Sequence, residues 1–182
     1  TTSQTSTVPV SSCARSTDMG YELIQLSVVI PTYNEAGRIG RSLERVSEYL
    51  HGRYGAGGFE IIVVDDGSRD CTVKIVEKFR EDAPAVSLIR LPRNRGKGAA
   101  VRAGMLAARG KVVLFSDADL STPIEEVEGA LKLLSEGSDL VIGSRALAGS
   151  QILVRQTRLR ELMGKLFNRL LRVYLQIPFR DT

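Results

Sequence analysis

The stretch KVVLFSDADLSTP, residues 111–123, decides the fold, because a short apolar run in it ends abruptly in acidic side chains. Residues 111–116 form the near-continuous apolar run that is typical of a strand buried on both faces of a sheet. Asp117 and Asp119 follow, and two carboxylates this close repel each other and cannot enter an apolar core without partners. We therefore expect a strand that delivers both carboxylates to a binding site.

Strands and helices alternate on both sides of this stretch. Apolar runs predict strands at residues 26–30, 60–64, 86–91, 111–116 and 139–144. Apolar residues at helical spacing predict helices at residues 35–50, 71–81, 98–110, 124–136 and 158–175. Because the strands are rich in Val, Ile and Leu, this alternation predicts an α/β fold, a mostly parallel sheet with helices on both faces.

The composition is that of an ordinary globular protein, with 43% hydrophobic and 25% charged residues. Its 182 residues suffice for one domain with a real core. Residues 1–22 are rich in Ser and Thr and lack a periodic apolar pattern, so we expect a disordered tail before a single domain at residues 23–182. No apolar run reaches the roughly 18–20 residues that a membrane-spanning helix requires, so we expect no span here.

The sequence has few cysteines and histidines from which a catalytic or metal-binding site could be built. Cys13 and Cys71 are too sparse for a disulfide framework and lack the spacing of metal ligands, which favours a reducing compartment. His51, the single histidine, comes at the end of a predicted helix, where a C-terminal helical position or simple exposure explains it. We therefore expect neither a histidine-based zinc site nor a histidine-dependent triad.

Polar segments follow four of the predicted strands. They are PTYNE at 31–35, DDGS at 65–68, SDAD at 116–119 and GSR at 143–145. Ligands of an open α/β sheet bind beyond the carboxyl ends of its strands, so these segments are expected at one edge. Asp and Ser also begin helices and turns for structural reasons, which explains any one segment more easily than all of them together.

Asp117 and Asp119 favour a divalent cation. Residues two apart in an extended chain point to the same side, and hard oxygen ligands suit Mg²⁺ or Mn²⁺. Magnesium usually takes one or two protein carboxylates and completes its shell with water and phosphate oxygens, so the pair suggests a metal bound to a diphosphate. After it, Thr122, Pro123 and Glu125 have the pattern of a helix start with a capping box.

RNRGKGAA, residues 93–100, is a basic, glycine-rich loop that runs into a predicted helix. Exposed backbone N–H groups and Lys97 could bind phosphate there, although the spacing differs from that of a P-loop. A flexible loop with solvated charges is the other interpretation.

Together, five ordered motifs resemble glycosyltransferase family 2: VVIPTYNE, VVDDGSRD, LPRNRGKGAAVRAGM, FSDADLSTP and VIGSR. The resemblance covers roughly residues 26–182 and extends, within the family, to the polyprenyl-phosphate sugar transferases. SDADLSTP, IGSRA and RDT are similar to the branch that transfers glucose to dolichyl phosphate, whereas the mannosyl branch typically has Gln at the position of Ser121. The family's motif normally continues beyond Asp181 and Thr182, so we expect a domain that is incomplete at its C-terminus.

The resemblance implies the GT-A fold, a nucleotide-sugar donor (UDP-glucose in the glucosyl branch), and inversion at the anomeric carbon. It places several side chains against the nucleoside: Pro31, Tyr33 and Glu35 in the pocket, with Val64 and Asp66 at the base or ribose. It also implies a set of residues at the diphosphate: Asp117, Ala118 and Asp119, with Asp117 and Asp119 as metal ligands, Asp119 the firmer one, and Arg145 at the phosphates.

Asp119 and Arg145 are the expected catalytic residues. Breaking a sugar–diphosphate bond builds negative charge on the leaving group, and a metal held by Asp119, with Arg145 and Lys97 nearby, would stabilise it. A phosphate acceptor needs no general base, because its second pKa of about 6 leaves it mostly dianionic at neutral pH.

Residues 145–180 carry eight basic side chains and one acidic one, which favours a polyprenyl or dolichyl phosphate acceptor. We expect Arg155, Arg158 and Arg160 to bind its phosphate. The predicted helix at 158–175 has an apolar face opposite a basic one, so it either packs on the sheet or lies in a membrane interface. We expect peripheral contact with the cytoplasmic face of a membrane, the endoplasmic reticulum in a eukaryote or the plasma membrane in a prokaryote.

Other functions remain open. A family 2 enzyme acting on a sugar hydroxyl would need a base, for which Asp181 is the one late candidate. An enzyme similar to dolichyl-phosphate mannose synthase would use GDP-mannose, and a non-catalytic fragment would only bind nucleotide. A nucleotidyltransferase is disfavoured because PTYNEAGRIG lacks the usual glycine-rich signature. No nucleic-acid partner is expected, because the basic residues lack interleaved aromatics.

Overall fold

The computed structural model describes residues 24–143. The predicted tail at 1–22, the predicted helix at 158–175 and the arginines from Arg145 onward lie outside the described residues. Eight regular elements follow one another in the described part: β1 Leu26–Thr32, α1 Ile39–Tyr54, β2 Phe59–Asp65, α2 Thr72–Asp82, β3 Val86–Arg90, α3 Lys97–Ala107, β4 Val112–Phe115 and α4 Val127–Ser135, with a 3-10 turn at Ile124–Glu126 before α4.

The four strands form a parallel sheet in the order β3-β2-β1-β4, which confirms the predicted α/β fold. The central strands β1 and β2 are buried along their whole length. Thr32 lies opposite Asp65 in the register, and Val29 lies opposite Phe115. Because all four strands run the same way, the segments that follow β1, β2 and β4 emerge at one edge of the sheet, here called the carboxyl edge.

The chain divides into two compact units, residues 1–125 and 126–182. The sheet and helices α1 to α3 belong to the first unit. The described part of the second unit contains α4 and the residues up to Gly143, with Val127 buried and Leu133 exposed. None of the helices among residues 24–143 has the length and apolar character needed to span a membrane.

Two predictions for the second half of the described chain were wrong. Residues 139–143 form no strand, because they pair with none of the four strands of the sheet, and Leu140 and Ile142 are exposed. The predicted capping box is also absent, since the chain enters α4 through the 3-10 turn and α4 has no side-chain cap. Glu125 instead pairs with Arg45, at 3.1 Å.

Helix α1 begins four residues later than the apolar pattern predicts. The N–H groups of Arg38 and Ile39 both bond the carbonyl of Glu35 at 3.0 Å, so residues 35–38 form a turn before the helix starts. The helix then continues to Tyr54, which places His51 in its last turn, exposed, as expected. Cys71 lies at the N-cap of α2 as an exposed free thiol.

An ionic network around the buried Glu60 closes the amino-terminal edge of the sheet. Glu60 Oε1 accepts hydrogen bonds from the Ser27 hydroxyl and the Arg109 N–H, each at 2.7 Å. Glu60 Oε2 binds the Arg109 guanidinium at 2.7 and 3.0 Å, and the Gly110 N–H donates to Ser27 Oγ at 2.8 Å. Burial works against ionisation of Glu60, but the bonds from Ser27 and Arg109 outweigh it and lower its pKa. The network fixes where α3 ends and β4 begins.

Helix α3 packs closely on the sheet at Gly104. A Cβ at this position would overlap the side chains of Val29 in β1 and Val64 in β2. Both valines belong to the buried cluster with Ile62 and Ala100. The missing side chain therefore sets the distance between α3 and the two central strands.

Gly104→Ala is expected to destabilise the fold by about 1–3 kcal/mol, the usual cost of overpacking a core. This overrides the gain of up to about 1 kcal/mol that alanine brings within a helix. Gly98→Ala is the matched control on α3, since a Cβ there meets nothing within 4 Å. Denaturant unfolding of both variants measures the difference, and equal stability of the two would contradict this close packing.

Glu60→Gln is expected to cost about 1–3 kcal/mol of unfolding free energy at pH 7, through lost charge-assisted hydrogen bonds. The lowered pKa makes this contribution fully present above the ordinary value of 4.5 and lost as the pH falls through the folded-state value. The stability gap between wild type and variant should therefore close below about pH 4.5. Exposed Glu81→Gln is the control, and a gap independent of pH would refute the role of the charge.

Candidate functional site

The loops that follow β1 and β2 hold each other in place. The Asn34 N–H donates to Ser68 Oγ at 2.9 Å, and Asn34 Oδ1 accepts the N–H of Arg69, also at 2.9 Å. Asn34 has a φ of 56°, a left-handed conformation that asparagine tolerates better than most residues. The reciprocal bonds fix the loop that carries Tyr33 and Glu35.

Asp70 anchors the same pair of loops from the side of α2. Its carboxylate accepts the N–H of Ala36 at 3.1 Å and both the N–H and the hydroxyl of Thr72, at 2.9 and 2.5 Å. Thr72 Oγ1 in turn accepts the N–H of Glu35 at 2.8 Å. Burial acts to raise the pKa of Asp70, but the bonds from Thr72 and Ala36 prevail and lower it. The anchor is therefore ionised at neutral pH.

Asp66 organises the basic loop. It is buried, and its two oxygens accept the N–H groups of Arg95 and Gly96, each at 2.8 Å. Gly67, with a φ of 76°, lets the backbone of Arg93 approach so closely that a Cβ would collide with it. The loop is thus held against the end of β2, one residue before Lys97 begins α3. A contact of Asp66 with base or ribose stays a prediction.

The other residues expected around the nucleoside differ in exposure, and their contact with a nucleoside stays a prediction. Pro31 and Val64 lie opposite each other in β1 and β2 and are buried, whereas Tyr33 is exposed. Near them, a polar cavity of about 410 Å³ lies at the carboxyl ends of β2 and β3. Its lining includes Asp65 and Ser68, from the polar segment expected at this edge, and Arg90, which the sequence analysis did not name.

The two aspartates after β4 face solvent at the carboxyl edge. The side chains of Asp117 and Asp119 are 41% and 39% exposed, while Ala118 between them is buried. The chain then turns, with the Leu120 N–H donating to the Asp117 carbonyl at 3.1 Å and Leu120 at a φ of 49°. The chain is therefore no longer extended at residues 117–119, and the shared direction of the two carboxylates, which was expected for an extended chain, stays a prediction.

Each of these carboxylates meets a cation from a different element. Lys97 Nζ lies 2.6 Å from Asp117 Oδ1 and 5.1 Å from the centre of the Phe115 ring. Arg38 Nη1 lies 3.9 Å from Asp119 Oδ2 and 3.7 Å from Glu35 Oε2. The site therefore brings Lys97, Asp117, Asp119 and Glu35 together, and it adds Arg38, which the sequence analysis did not name.

Asp119 is kept ionised by its own turn. The Ser121 hydroxyl and N–H donate to Asp119 Oδ1 at 2.7 and 3.0 Å. The hydroxyl bond is the largest influence on the pKa of Asp119 and lowers it, burial opposes the change, and Arg38 adds to the lowering. Oδ2 lies 3.9 Å from Nη1 of the exposed Arg38, beyond hydrogen-bond distance.

The donor set fits a divalent cation that takes only part of its ligands from the protein. Among residues 24–143, no group of three or more acidic, histidine or cysteine side chains is arranged to hold a metal. Two accessible carboxylates nevertheless suffice for an ion that takes its other ligands from water and phosphate. Arg145 and the acceptor residues Arg155, Arg158 and Arg160 lie outside the described part of the chain.

The chain is similar to curated sugar transferases. It is 39% identical over 149 residues to dolichyl-phosphate beta-glucosyltransferase ALG5D of Trichomonas vaginalis, covering 78% of this chain and 46% of the relative. It is 35% identical to the dolichyl-phosphate beta-glucosyltransferases of Saccharomyces cerevisiae and Homo sapiens, covering 88% and 87% of this chain and 53% and 52% of theirs. The chain thus spans about half the length of these relatives.

Solved glycosyltransferases share its fold. The mannosyltransferase PcManGT from Pyrobaculum calidifontis, in complex with GDP-Man and Mn²⁺, matches with a TM-score of 0.53 and 30% identity, over 62% of this chain and 33% of that one. S. aureus TarS 1-349 with UDP-GlcNAc matches with a TM-score of 0.50 and 31% identity, over 62% and 31%. These neighbours confirm the expected GT-A-like fold. Residues 27–182 match Glycosyl transferase family 2, and the chain belongs to that family.

Proposed function

We propose that the carboxyl edge binds a nucleotide sugar and that the chain acts in the transfer of glucose from UDP-glucose to a dolichyl or polyprenyl phosphate. The observation that carries this proposal is the exposed pair Asp117 and Asp119, placed beside Lys97 at the ends of parallel strands. The names of the relatives, which are dolichyl-phosphate beta-glucosyltransferases at 35–39% identity, support glucose and dolichyl phosphate.

The nucleoside is proposed to lie against the loop after β1. Tyr33 and Glu35 offer an aromatic face and a carboxylate, and the backbone hydrogen bonds that Ser68 and Thr72 accept hold their loop in advance of binding. Such preorganisation lowers the entropy that donor binding costs. Asp66 contributes by ordering the loop before Lys97, and Val64 and Pro31 support the site from the core beneath it.

The diphosphate is proposed to bind between the paired aspartates and the two cations. Bound at Asp117 and Asp119, Mg²⁺ or Mn²⁺ would neutralise charge on the diphosphate and so favour its departure. Lys97 and Arg38, which pair with these carboxylates in the free protein, would then turn to the phosphate oxygens. Arg145 is proposed to join them. These positive charges would act where negative charge develops as the bond breaks.

The proposed reaction exchanges one bond at the anomeric carbon. The bond from this carbon to the UDP oxygen breaks, and UDP leaves with the electron pair. An oxygen of the acceptor phosphate forms the new bond from the opposite face, which inverts the configuration. No general base is required, because the acceptor is already mostly dianionic at neutral pH. Arg155, Arg158 and Arg160 are proposed to bind this phosphate.

The lipid acceptor places the proposed reaction at a membrane surface. We propose peripheral contact on the cytoplasmic face, the endoplasmic reticulum in a eukaryote or the plasma membrane in a prokaryote. The excess of basic residues from 145 to 180 supports attraction to anionic headgroups.

GDP-mannose is the second candidate donor. The match to PcManGT, solved with GDP-Man and Mn²⁺, supports it. Parallel assays with UDP-glucose and GDP-mannose at equal concentration decide between the two, because the preferred donor should give the higher rate of labelled lipid product.

Asp119→Asn is expected to reduce transfer of labelled glucose from UDP-glucose to dolichyl phosphate by about 100-fold or more, as loss of charge stabilisation at a reacting group typically does. Asp82→Asn, at the exposed end of α2, is the control for the same change in charge. Extraction of the labelled lipid, with Mn²⁺ and with EDTA, measures the product. Metal-dependent product that survives in Asp119→Asn would refute the site.

Binding measurements separate an error in the proposed donor from an error in the proposed acceptor. If the wild type binds UDP-glucose more tightly than Asp119→Asn does and still forms no product, the donor is right and the proposed acceptor is wrong. Wild type that binds neither nucleotide sugar would contradict the whole proposal.

Asp66→Asn is expected to weaken UDP-glucose binding about 3- to 10-fold, because one amide N–H of the basic loop loses its acceptor and faces a side-chain NH₂ instead. Amide hydrogen exchange at Arg95 and Gly96 should accelerate in the same variant, whereas exchange at Arg109 should not change. Weakened binding without faster exchange in the loop would instead indicate a direct contact of Asp66 with the donor.

A further inference from the structure

One stripe of α1 contacts the segment that carries the paired aspartates. Arg38 at the helix N-cap, Ser42 and Arg45 are spaced four and three residues apart, so they lie on one side of the helix. The segment from 117 to 125 meets this stripe at three points: Arg38 Nη1 to Asp119 Oδ2 at 3.9 Å, Ser42 Oγ to the Ala118 carbonyl at 2.6 Å, and Arg45 Nη2 to Glu125 Oε1 at 3.1 Å.

The contact of Ser42 differs in kind from the other two. Both arginine side chains are more than half exposed, and ion pairs between exposed side chains contribute little because water screens them. Ser42 is only 6% exposed, Ala118 is buried, and their hydrogen bond joins residues 76 positions apart in the chain. A buried hydrogen bond is costly to lose, because the Ala118 carbonyl would then lack a partner.

The Ala118 carbonyl is the point at which the turn can be held. It belongs to the peptide group that joins Ala118 to Asp119, so fixing its direction also fixes the backbone from which the Asp119 side chain projects. The turn needs such support, because Leu120 has a φ of 49°, which is unfavourable for leucine and persists only where surrounding contacts enforce it.

We propose that Ser42 is a positioning residue of the donor site. Its hydroxyl holds the Ala118 carbonyl, and this bond keeps Asp117 and Asp119 facing the carboxyl edge together. Ser42 acts through the backbone and touches neither metal nor donor. The inference rests on the proposed function, since it concerns how the same site obtains its geometry.

Binding of Mn²⁺ with UDP-glucose to the full chain tests this role without relying on turnover. Electron paramagnetic resonance of free Mn²⁺ gives metal affinity in the presence of UDP-glucose, and calorimetry with EDTA gives metal-free nucleotide affinity. Ser42→Ala should weaken the metal-dependent binding about 3- to 10-fold, the effect of one lost buried hydrogen bond. Metal-free binding should change less than about twofold, because the loop after β1 is held by other bonds.

Ser87→Ala is the matched control. Its hydroxyl also donates to a main-chain carbonyl, that of Ile61, at 3.4 Å, but it lies on β3, away from the aspartates. If Ser42→Ala does not fold, Ser42→Cys serves in its place, since it keeps the size of the side chain and a weak donor. The cysteine variant should show the same metal-specific loss, at smaller magnitude.

Three outcomes would overturn the inference. Equal losses with and without metal would mean that Ser42 only packs α1 against the sheet, and unchanged metal affinity would mean that the bond does not position the aspartates. A wild type that binds no Mn²⁺ with UDP-glucose would reject the proposed function and the inference together. If the wild type binds Mn²⁺ tightly with UDP-glucose and Ser42→Ala binds it equally well, the inference alone is rejected.

Discussion

The parallel pairing of β1 with β2 on one side and β4 on the other is the constraint on which the rest of the described structure depends. It brings the segments after three strands to one edge, although they lie far apart in sequence. That convergence also concentrates acidic side chains, whose repulsion has to be offset. Asp66 accepts hydrogen bonds from amides of the basic loop, and Asp117 forms an ion pair with Lys97. Asp119 accepts a hydrogen bond from Ser121 and lies within weaker ion-pair distance of Arg38.

The two edges of the sheet use charge in opposite ways. At the amino-terminal edge, Glu60 is buried and its oxygens are engaged by Ser27 and Arg109, so the charge serves the fold. At the carboxyl edge, Asp117 and Asp119 remain about two-fifths exposed, and their cationic partners are exposed and long enough to move. Carboxylates this exposed can exchange their partners for a metal and phosphate, whereas breaking the bonds of Glu60 would leave an unpaired charge in a buried position.

The sequence predicted the four described strands and the position of the aspartate pair because both follow from local patterns. Apolar runs identify buried strands, and acidic residues directly after Phe115 indicate an edge. Local patterns failed where a distant partner decides the outcome. Residues 139–143 are apolar enough for a strand but pair with none of the four, and Glu125 joins Arg45 instead of capping α4. The bond from Ser42 to Ala118 likewise depends on how α1 packs, which no spacing of residues in the chain reveals.

Hydrogen exchange of the wild-type chain, with and without UDP-glucose and Mn²⁺, tests most directly whether the carboxyl edge is the donor site. Slower exchange is predicted for the amides of residues 95–98 and 117–121 when both ligands are present. Smaller changes are predicted with UDP-glucose and EDTA, and none at Arg109 and Gly110 on the opposite edge. Protection that appears at the amino-terminal edge, or that appears nowhere at saturating donor and metal, would contradict this assignment.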